Sequence, residues 1–483
     1  MPKITLPITG GFYQSESLPI SAQRCINWIP SIVQTANAAQ NEVLFPTPGQ
    51  KSFVTLVGAN RGSHEMAEIA FEVNGNTLFQ VNEDKTTVSI GTIEGTGRVS
   101  MADNGTKLVI VVPGGRAYVY DGTTLDQITD ADYILSDTVS YKDGFFVFTA
   151  SDGSVFFNSE LNNPSSIRGL DFGTAEIDPD RIVASHVTHN DLFVIGTKTI
   201  EPFQNIGGAD FPFQRIEGAN IQKGAHAKFS IIGLDETFAF VGGGENEKSA
   251  IYQVVSRSAV QKISTPAIDN AIQDYTADEI SNCFAMSYFE RGNQLAIFTF
   301  ESSRIPSRTF AYNATTSKIL GIPIWFEFQS GVSNNRWNIS SIVLVYGKLL
   351  AGTTTGQIVE LDNKTFDDLG SPILRQVTTL TVSDDEEPFF IPKIILWLES
   401  GVGTTTGQGS DPSVSMDFAD DGENFGNDRL RKIGKIGKRG QQTEWRRNGR
   451  IPVFRVFRFT ITAPIKAVVR KLQAVANASG PSG

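Results

Sequence analysis

FEVNGNTLFQV, residues 71–81, is two apolar runs joined at Asn74-Gly75. Asn-Gly tolerates the positive φ of a two-residue turn, so this is a strong short hairpin signal. The pattern recurs. GTKLVIVVPGGRAYVYDG (105–122) turns at Pro113-Gly114-Gly115, and KDGFFVFTASDGSVFFNSEL (142–161) turns at Ser151-Asp152-Gly153. HNDLFVIGTKTIEPFQN (189–205), DETFAFVGGGENEKSAIYQV (235–254), GNQLAIFTF with RTFAYNATTSKILGIPIWFEF (292–328) and GKLLAGTTTGQIVELDN (347–363) continue it. The turns fall near 75, 114, 152, 197, 243, 304 and 355, about 47 residues apart on average. A β-propeller blade takes four strands in roughly 40–50 residues. The expectation is a mainly β chain with a six- or seven-bladed propeller-like domain over 51–370. An irregular array of sandwiches would space its turns less evenly.

The flanks read differently. Residues 1–50 carry Pro2, Pro7, Pro19, Pro30, Pro46 and Pro48, which rule out a long helix. CINWIP and LFPTPG are extended pieces with apolar anchors. This segment is expected to be irregular, lying along a domain surface or reaching a neighbouring subunit. Beyond 370 the strands lengthen, in DEEPFFIPKIILWLESG, DPSVSMDFADDGENFG and WRRNGRIPVFRVFRFTITAPIKAVV. Residues 371–483 are expected to form a β-sandwich-like domain whose last strands alternate Val453, Arg455, Phe457 and Phe459. One helix is signalled by Thr265, Pro266 and the spacing of Ile268, Ala271, Ile272 and Tyr275. Thr276 to Glu279 is a capping-box pattern that opens a second.

Composition narrows the class. The 483 residues are 40% apolar, normal for a soluble chain. LVIVV at 108–112 is among the longest apolar runs and falls far short of the ~20 residues of a membrane span. MPKITLPITGGF has no apolar signal core, so no signal peptide is expected. Cys25 and Cys283 offer neither a disulfide framework nor a metal spacing. That suits a reducing cytosol and assembly inside a bacterium. The net charge of −11 is uneven. Residues 429–471 hold 14 Lys and Arg against Glu444, which leaves 27 basic and 51 acidic residues elsewhere. A body of −24 repels a polyanion, whereas a segment of +13 suits an acidic protein or phosphates.

TIEPFQNIGGADFPFQRIEGANIQKGAHA, 199–227, is crowded with Gly and Phe. Phe203, Phe211 and Phe213 need apolar partners, and Gly207-Gly208, Gly218 and Gly224 suit sharp turns. It reads as a shaped connector between two sheets, packed by its own rings. Together with TGRVSMADNGTKLVIV at 96–111, it resembles the tail hub, or nozzle, of short-tailed bacteriophages, also called the packaged-DNA stabilisation protein. PAIDNAIQDYTADEI, LAIFTF, RTFAYNATTSKIL, NNRWNISS and YGKLLAGTTTGQIVELD follow one another across 266–362 as in that family. The family's Tyr-Asp-like turn is here Tyr312-Asn313, followed by Trp325 and Trp337. The Asp-Gly turn, basic loop, Trp-Arg-Arg and Phe-Arg-rich strand near the end are similar too. The resemblance covers most of the chain from about 50 onward and fits the first 50 residues least.

The resemblance implies a structural protein of the virion tail, assembled in the host cytoplasm. It implies a homo-hexameric hub that docks on a head-to-tail adaptor ring and presents surfaces to tailspikes and a plugging needle. Such a hub retains packaged double-stranded DNA and forms its exit channel without binding it tightly. No cofactor, metal or catalytic residue is expected. His186-x-x-His189 falls where a strand enters a turn, which separates the two rings. The partial Asp-box Asp420-x-Gly422-x-x-Phe425 lacks its Ser, and such turns are structural. The competing class is a carbohydrate-binding or glycosidase propeller, which needs two facing carboxylates for catalysis. The candidate partner contacts are Arg429, Arg431, Lys432, Lys435, Lys438, Arg439, Trp445, Arg446, Arg447 and Arg450, in the basic loop 429–450. Guanidinium groups there suit carboxylates of a protein partner.

Overall fold

Leu108–Val111 is wholly apolar and wholly buried, yet neighbouring side chains enter different cores. Val109 and Val111 pack with Phe146 and Phe148. Leu108 and Ile110 pack with Phe71 and Val73. Successive side chains of a strand point to opposite faces, so a continuous apolar run marks a strand held between two sheets. The computed structural model describes residues 3–35, 41–174, 180–208, 211–333, 335–385 and 387–475. It contains seven such sheets, each an antiparallel meander forming one blade.

Blade 1 is Asn60–Met66, Ile69–Asn74, Thr77–Val81 and Thr87–Thr92. Blades 2 to 6 begin at Ser100–Asp103, Ser136–Lys142, Ile182–Thr188, Gly224–Ala225 and Phe284–Glu290. Blade 7 is Ile339–Val345, Lys348–Thr353 and Gln357–Asp362, completed by Gly49–Thr55 from the other end of the domain. Pairing of Asp362 with Gly49 and Gln357 with Thr55 closes the ring. First strands lie side by side from blade 7 through blades 1 to 4 and from blade 6 to blade 7, and Ile232–Leu234 of blade 5 lies beside the first strand of blade 6. They therefore surround the axis. The seven turns read from the sequence each join the second strand of a blade to the third, so they share one face of the disc. In blade 1, Asn74 pairs with Thr77, which leaves Gly75-Asn76 as the turn with Gly75 at φ +52°.

The stretch 199–227 is less of a connector than expected. It supplies Ile200–Asn205 and Phe213–Arg215, the outer half of blade 4, then the start of blade 5. Its rings do not pack among themselves alone. Phe203 and Phe211 lie 5.0 and 5.5 Å from Phe156, and Phe213 lies 6.0 Å from Phe145, both on blade 3. Gly224 sits where a Cβ would come within 2.3 Å of the Gly196 carbonyl. Both expected helices form. α1 is Pro266–Gln273, with the Thr265 hydroxyl accepting from the Ile268 N–H, and α2 is Ala277–Ser281 behind a complete capping box. A third, α3 at Ala314–Leu320, falls inside the run read as strand. Asn313 caps it, and Gly321 ends it at φ +71°.

Within the segment 1–50, expected to be irregular and to lie along a surface or reach a neighbour, Lys3–Leu6 is largely exposed, whereas Cys25–Ile26, Trp28–Ile32 and Glu42–Pro46 are strands built into the fold. Trp28–Ile32 pairs with Glu42–Pro46, and Leu44 pairs with Val469 in the C-terminal sandwich. Cys25–Ile26 lies between blade 6, where Ile26 pairs with Glu327, and Arg375–Thr378 of the sandwich. One sheet thus runs from blade 6 through residues 25–26 to Phe454–Ile461, Ser413–Ala419 and the edge strand Arg429–Lys432. Trp28 is fully buried and its indole N–H donates to the Ala467 carbonyl at 2.7 Å. One core joins Trp28 and Leu44 to Phe326 and Trp337 of the propeller and to Trp445 and Phe459 of the sandwich.

Two buried carboxyls hold the joints. Glu327 of blade 6 receives Arg24 at 2.8 Å and Arg308 at 2.7 Å. Burial alone would raise its pKa, but the two guanidinium charges overcome this and hold it at about 2. Glu72 of blade 1 has no ion pair among the described residues. Its neighbours Asn60 and Ser63 link onward to Ser341 of blade 7 across the ring closure. Burial raises Glu72 to about 8, against the smaller pull of the Ser63 and Asn60 hydrogen bonds.

Two outcomes follow for stability. Glu327→Gln strands two buried guanidinium groups and should cost about 3–5 kcal/mol by denaturant unfolding. In the unsubstituted chain, the Glu327 contribution is fully present above pH 4.5 and is lost as pH falls toward 2. Glu72 has the opposite sign, because the folded state binds its proton more tightly. Its contribution declines as pH rises from 4.5 through 8. Glu72→Gln should therefore raise Tm at pH 8 more than at pH 5, and an equal change at both would contradict the assignment.

Candidate interaction surfaces

The basic run 429–450 folds onto the seam of the sandwich. Arg429–Lys432 pairs with Ser413–Ala419 in one sheet, and Thr443–Arg446 pairs with Lys393–Leu398 in the other. The two basic-run strands lie against each other without a backbone ladder between them, so side chains satisfy the facing carbonyls. Arg429 donates to the Asn448 amide oxygen at 2.8 Å and to the Arg446 carbonyl. Arg431 donates to the Glu444 carbonyl at 3.0 Å. Lys432 pairs with Asp411 at 2.8 Å, and Arg446 with Glu444 at 2.8 Å.

Trp445 is the correction. It was expected among the partner contacts, but it is fully buried, 5.4 Å from Phe459. Its indole N–H donates to the Arg429 carbonyl at 2.6 Å. The large ring sits beneath the strand that carries the charges. Alternation within Thr443–Arg446 could have signalled this, since Thr443 and Trp445 share the inward face. Five cations remain exposed, and their side chains carry no hydrogen bond or ion pair among the described residues: Lys435, Lys438, Arg439, Arg447 and Arg450. They form two groups. The first three sit on the loop 433–440, and the other two lie beyond the far end of Thr443–Arg446.

On the face of the seven turns, the axis opens into a cavity of 910 Å³. Loops of blade 2 at 95–98 face Lys228 and Phe229 of blade 5 and Glu279 and Glu301 of blade 6. Arg98 crosses it. Its guanidinium lies 3.9 Å above the Phe284 ring and donates to the Ser340 carbonyl at 2.6 Å. Burial lowers its pKa to about 10. The wall carboxylates are engaged, Glu301 by Arg336 at 2.7 Å and Glu279 by Arg304 at 3.2 Å. A hydrogen bond from Ser302, with one from the Thr276 backbone, holds Glu279 at about 2. A general acid requires the reverse shift. Three carboxyls among the described residues are raised by burial, Glu72 to about 8, Asp368 to about 7, and Glu290, and none of them lines this cavity.

The other candidates are structural in their contacts. His186 is 4.8 Å from Phe238, and burial lowers it to about 4. His189 stands in the following turn at φ +53°. Asp420 pairs with Arg455, and Arg458 covers the Phe425 ring at 3.8 Å. Asp421, not Asp420, caps that turn by accepting from the N–H groups of Glu423 and Asn424. Among the described residues no cluster of three His, Cys, Asp or Glu could hold a metal. No described helix is long and apolar enough to cross a membrane.

Substitution separates the two kinds of basic-run residue. Trp445→Ala should cost about 3–5 kcal/mol in urea unfolding, as for other large buried rings. Lys435→Ala, Lys438→Ala and Arg439→Ala should each stay within about 0.5 kcal/mol, as exposed side chains without partners do. A large loss from the lysine variants would mean the loop is structural.

Comparison with known proteins places these surfaces in context. Residues 4–366 match the family described as Bacteriophage P22 Gp10, beta-propeller, and residues 376–477 match Bacteriophage P22 Gp10, beta-sandwich. The tail hub protein gp10 of Salmonella phage P22 is 22% identical over 424 residues, covering 84% of this chain and 85% of that protein. Among solved structures, the C-terminal WD40 domain of Sif2 is 10% identical over 65% of this chain and 98% of that one, with a TM-score of 0.39. The exo-beta-1,3-galactanase of Phanerochaete chrysosporium is 11% identical over 82% of this chain and 98% of that one, with a TM-score of 0.30.

Proposed function

The chain belongs to the P22 Gp10 family, in both its propeller and its sandwich, and from this we propose that it is the hub of a short phage tail. The observation that carries the reading is the order of the two matches along one chain, on a fold whose axial opening presents paired acids. The hub is a homo-hexamer in the virion tail, assembled in the host cytoplasm. It docks on the head-to-tail adaptor ring and offers surfaces to tailspike and needle. It is a structural protein without catalysis.

Its physical task sets its charge. Packaged DNA must be held and then released through a channel, and phosphate contacts would slow passage. A body of −24 suits a lumen lined mainly by Asp and Glu, with the basic run turned toward protein. Free Cys25 and Cys283 are both buried, which suits assembly in a reducing compartment.

Negative-stain imaging of tails labelled with an antibody to this chain tests the assignment. Label at the base of the tail is expected, and label on the head or its absence from particles would overturn it. Purified protein should bind duplex DNA no more tightly than about 10⁻⁴–10⁻⁶ M at physiological salt, the range of non-specific contacts. Tighter binding would contradict the acidic conduit.

A further inference from the structure

Among the side chains that line the axial cavity and their ion-pair partners, one charge is left over. Lys228 pairs with Asp137, Arg336 with Glu301 and Arg304 with Glu279. Arg98 alone of the lining charges has no ion pair among the described residues. The Glu301 charge acts on Arg98, but its ion pair is with Arg336. Both guanidinium groups lie over the Phe284 ring, Arg98 at 3.9 Å and Arg336 at 5.6 Å. Two cations thus share one carboxylate. Glu94 and Asp278 neighbour lining residues in the sequence but do not themselves line the cavity.

The hydrogen bonding of Arg98 is incomplete as well. Its Nη2 donates to the Ser340 carbonyl at 2.6 Å, whereas its buried Nε meets no acceptor among the described residues. Stacking on Phe284 engages the face of the guanidinium, but the N–H groups lie in its plane and still need acceptors. The group is also held in place. Phe284 beneath it is 2% exposed. The loop that carries Arg98 is pinned by buried Arg61, whose Nε donates to the Gly97 carbonyl at 2.6 Å. The other nitrogens of Arg61 donate to the carbonyls of Gly75, Ile93 and Glu94 at 2.8, 3.0 and 3.1 Å. A fixed cation with unmet donors, bordering an opening of 910 Å³, has the preorganisation of an anion site.

We propose that the axial cavity binds a carboxylate-bearing ligand, with the Arg98 guanidinium as its anchor. A carboxylate matches the planar fork of an arginine and brings the single negative charge that the lining lacks. Exposed Ser303 and Asn282 add uncharged hydrogen-bonding groups to the lining. Glu279 and Glu301 stand in the same lining, so a string of phosphates would meet a repulsion that one carboxylate largely avoids. The acid has two possible sources, a free small molecule or an Asp or Glu side chain of a partner polypeptide, and both present the same group. The site needs nothing from the hub reading.

Ligand-observed NMR titration of the full-length chain tests it. Butyrate is the free acid and acetyl-Ser-Glu-Ser-amide the peptide, with butyramide and acetyl-Ser-Gln-Ser-amide as neutral controls. Saturable binding of at least one acid, unmatched by its control, is expected, and the tighter of the two identifies the source. Arg98→Gln should weaken that binding by roughly tenfold or more, as loss of a desolvated charge partner does. Glu301→Gln should tighten it by roughly threefold or more, because it removes a competing negative charge and leaves Arg98 in place. Circular dichroism checks the fold of each variant, and Glu301→Gln decides if Arg98→Gln does not fold. The proposal is overturned if neither acid binds beyond its control, if folded Arg98→Gln binds as the unsubstituted chain does, or if Glu301→Gln leaves the affinity unchanged. Dimethyl phosphate binding more tightly than both acids also overturns it, in favour of a nucleic-acid backbone. Absence of the chain from tails would sink the hub reading and leave this site untouched.

Discussion

Covering both faces of every blade is the constraint on which the rest of the structure depends. A four-stranded sheet with two apolar faces has no stable free state in water, since each exposed large side chain forfeits roughly 1.5–3 kcal/mol. A closed ring meets the constraint for every blade at once. The final faces are covered when Gly49–Thr55 pairs with Gln357–Asp362. Phe53, Ala70, Val81, Val343, Leu350 and Ile358 then form the core between blades 7 and 1. Glu72 sits just behind this joint, and its burial without an ion pair among the described residues is a local cost carried by a ring that closes anyway.

The strand that closes the ring also explains the long first segment. To place residues 49–55 on blade 7, the chain must first pass the sandwich. It uses the passage to build both domains, with Trp28 in the common core and Cys25–Ile26 joining two sheets into one. Propeller and sandwich are thus joined by a continuous ladder and a continuous core rather than by a linker. The Arg24–Glu327–Arg308 group stands at this junction, between the first segment and blade 6. Its stakes are those of any buried charge group, where loss of one member leaves the others unpaired.

Arginine serves two purposes in this fold. At seams where sheets meet without a ladder, its planar fork satisfies carbonyls that would otherwise be orphaned, as Arg429 and Arg431 do. The axial Arg98 does the same across the ring while lying flat on Phe284. At loop tips without such carbonyls the charge is left for other molecules. The ten residues read from the sequence as a single contact set therefore divide by geometry into glue, a buried ring and two exposed groups.

The propeller was legible in the sequence because its signal is local. A hairpin turn is written in two or three adjacent residues, and seven of them at even spacing specify repeated blades. The capping signals of α1 and α2 were legible for the same reason. α3 was missed although Asn313 and Gly321 bracket it, because a helix of two turns between strands leaves too little periodicity to outweigh an aromatic run. The ring closure, the burial of Trp28 and Trp445 and the fate of each arginine depend on residues hundreds of positions apart. The sequence by itself determined the repeating β architecture, the acidic body and the basic segment, since these follow from neighbours and from counting. Only the tertiary structure decided that the blades number seven, that Trp28 and its neighbours in the first segment are core, and which charges remain unspent, since these follow from which distant atoms come within bonding distance.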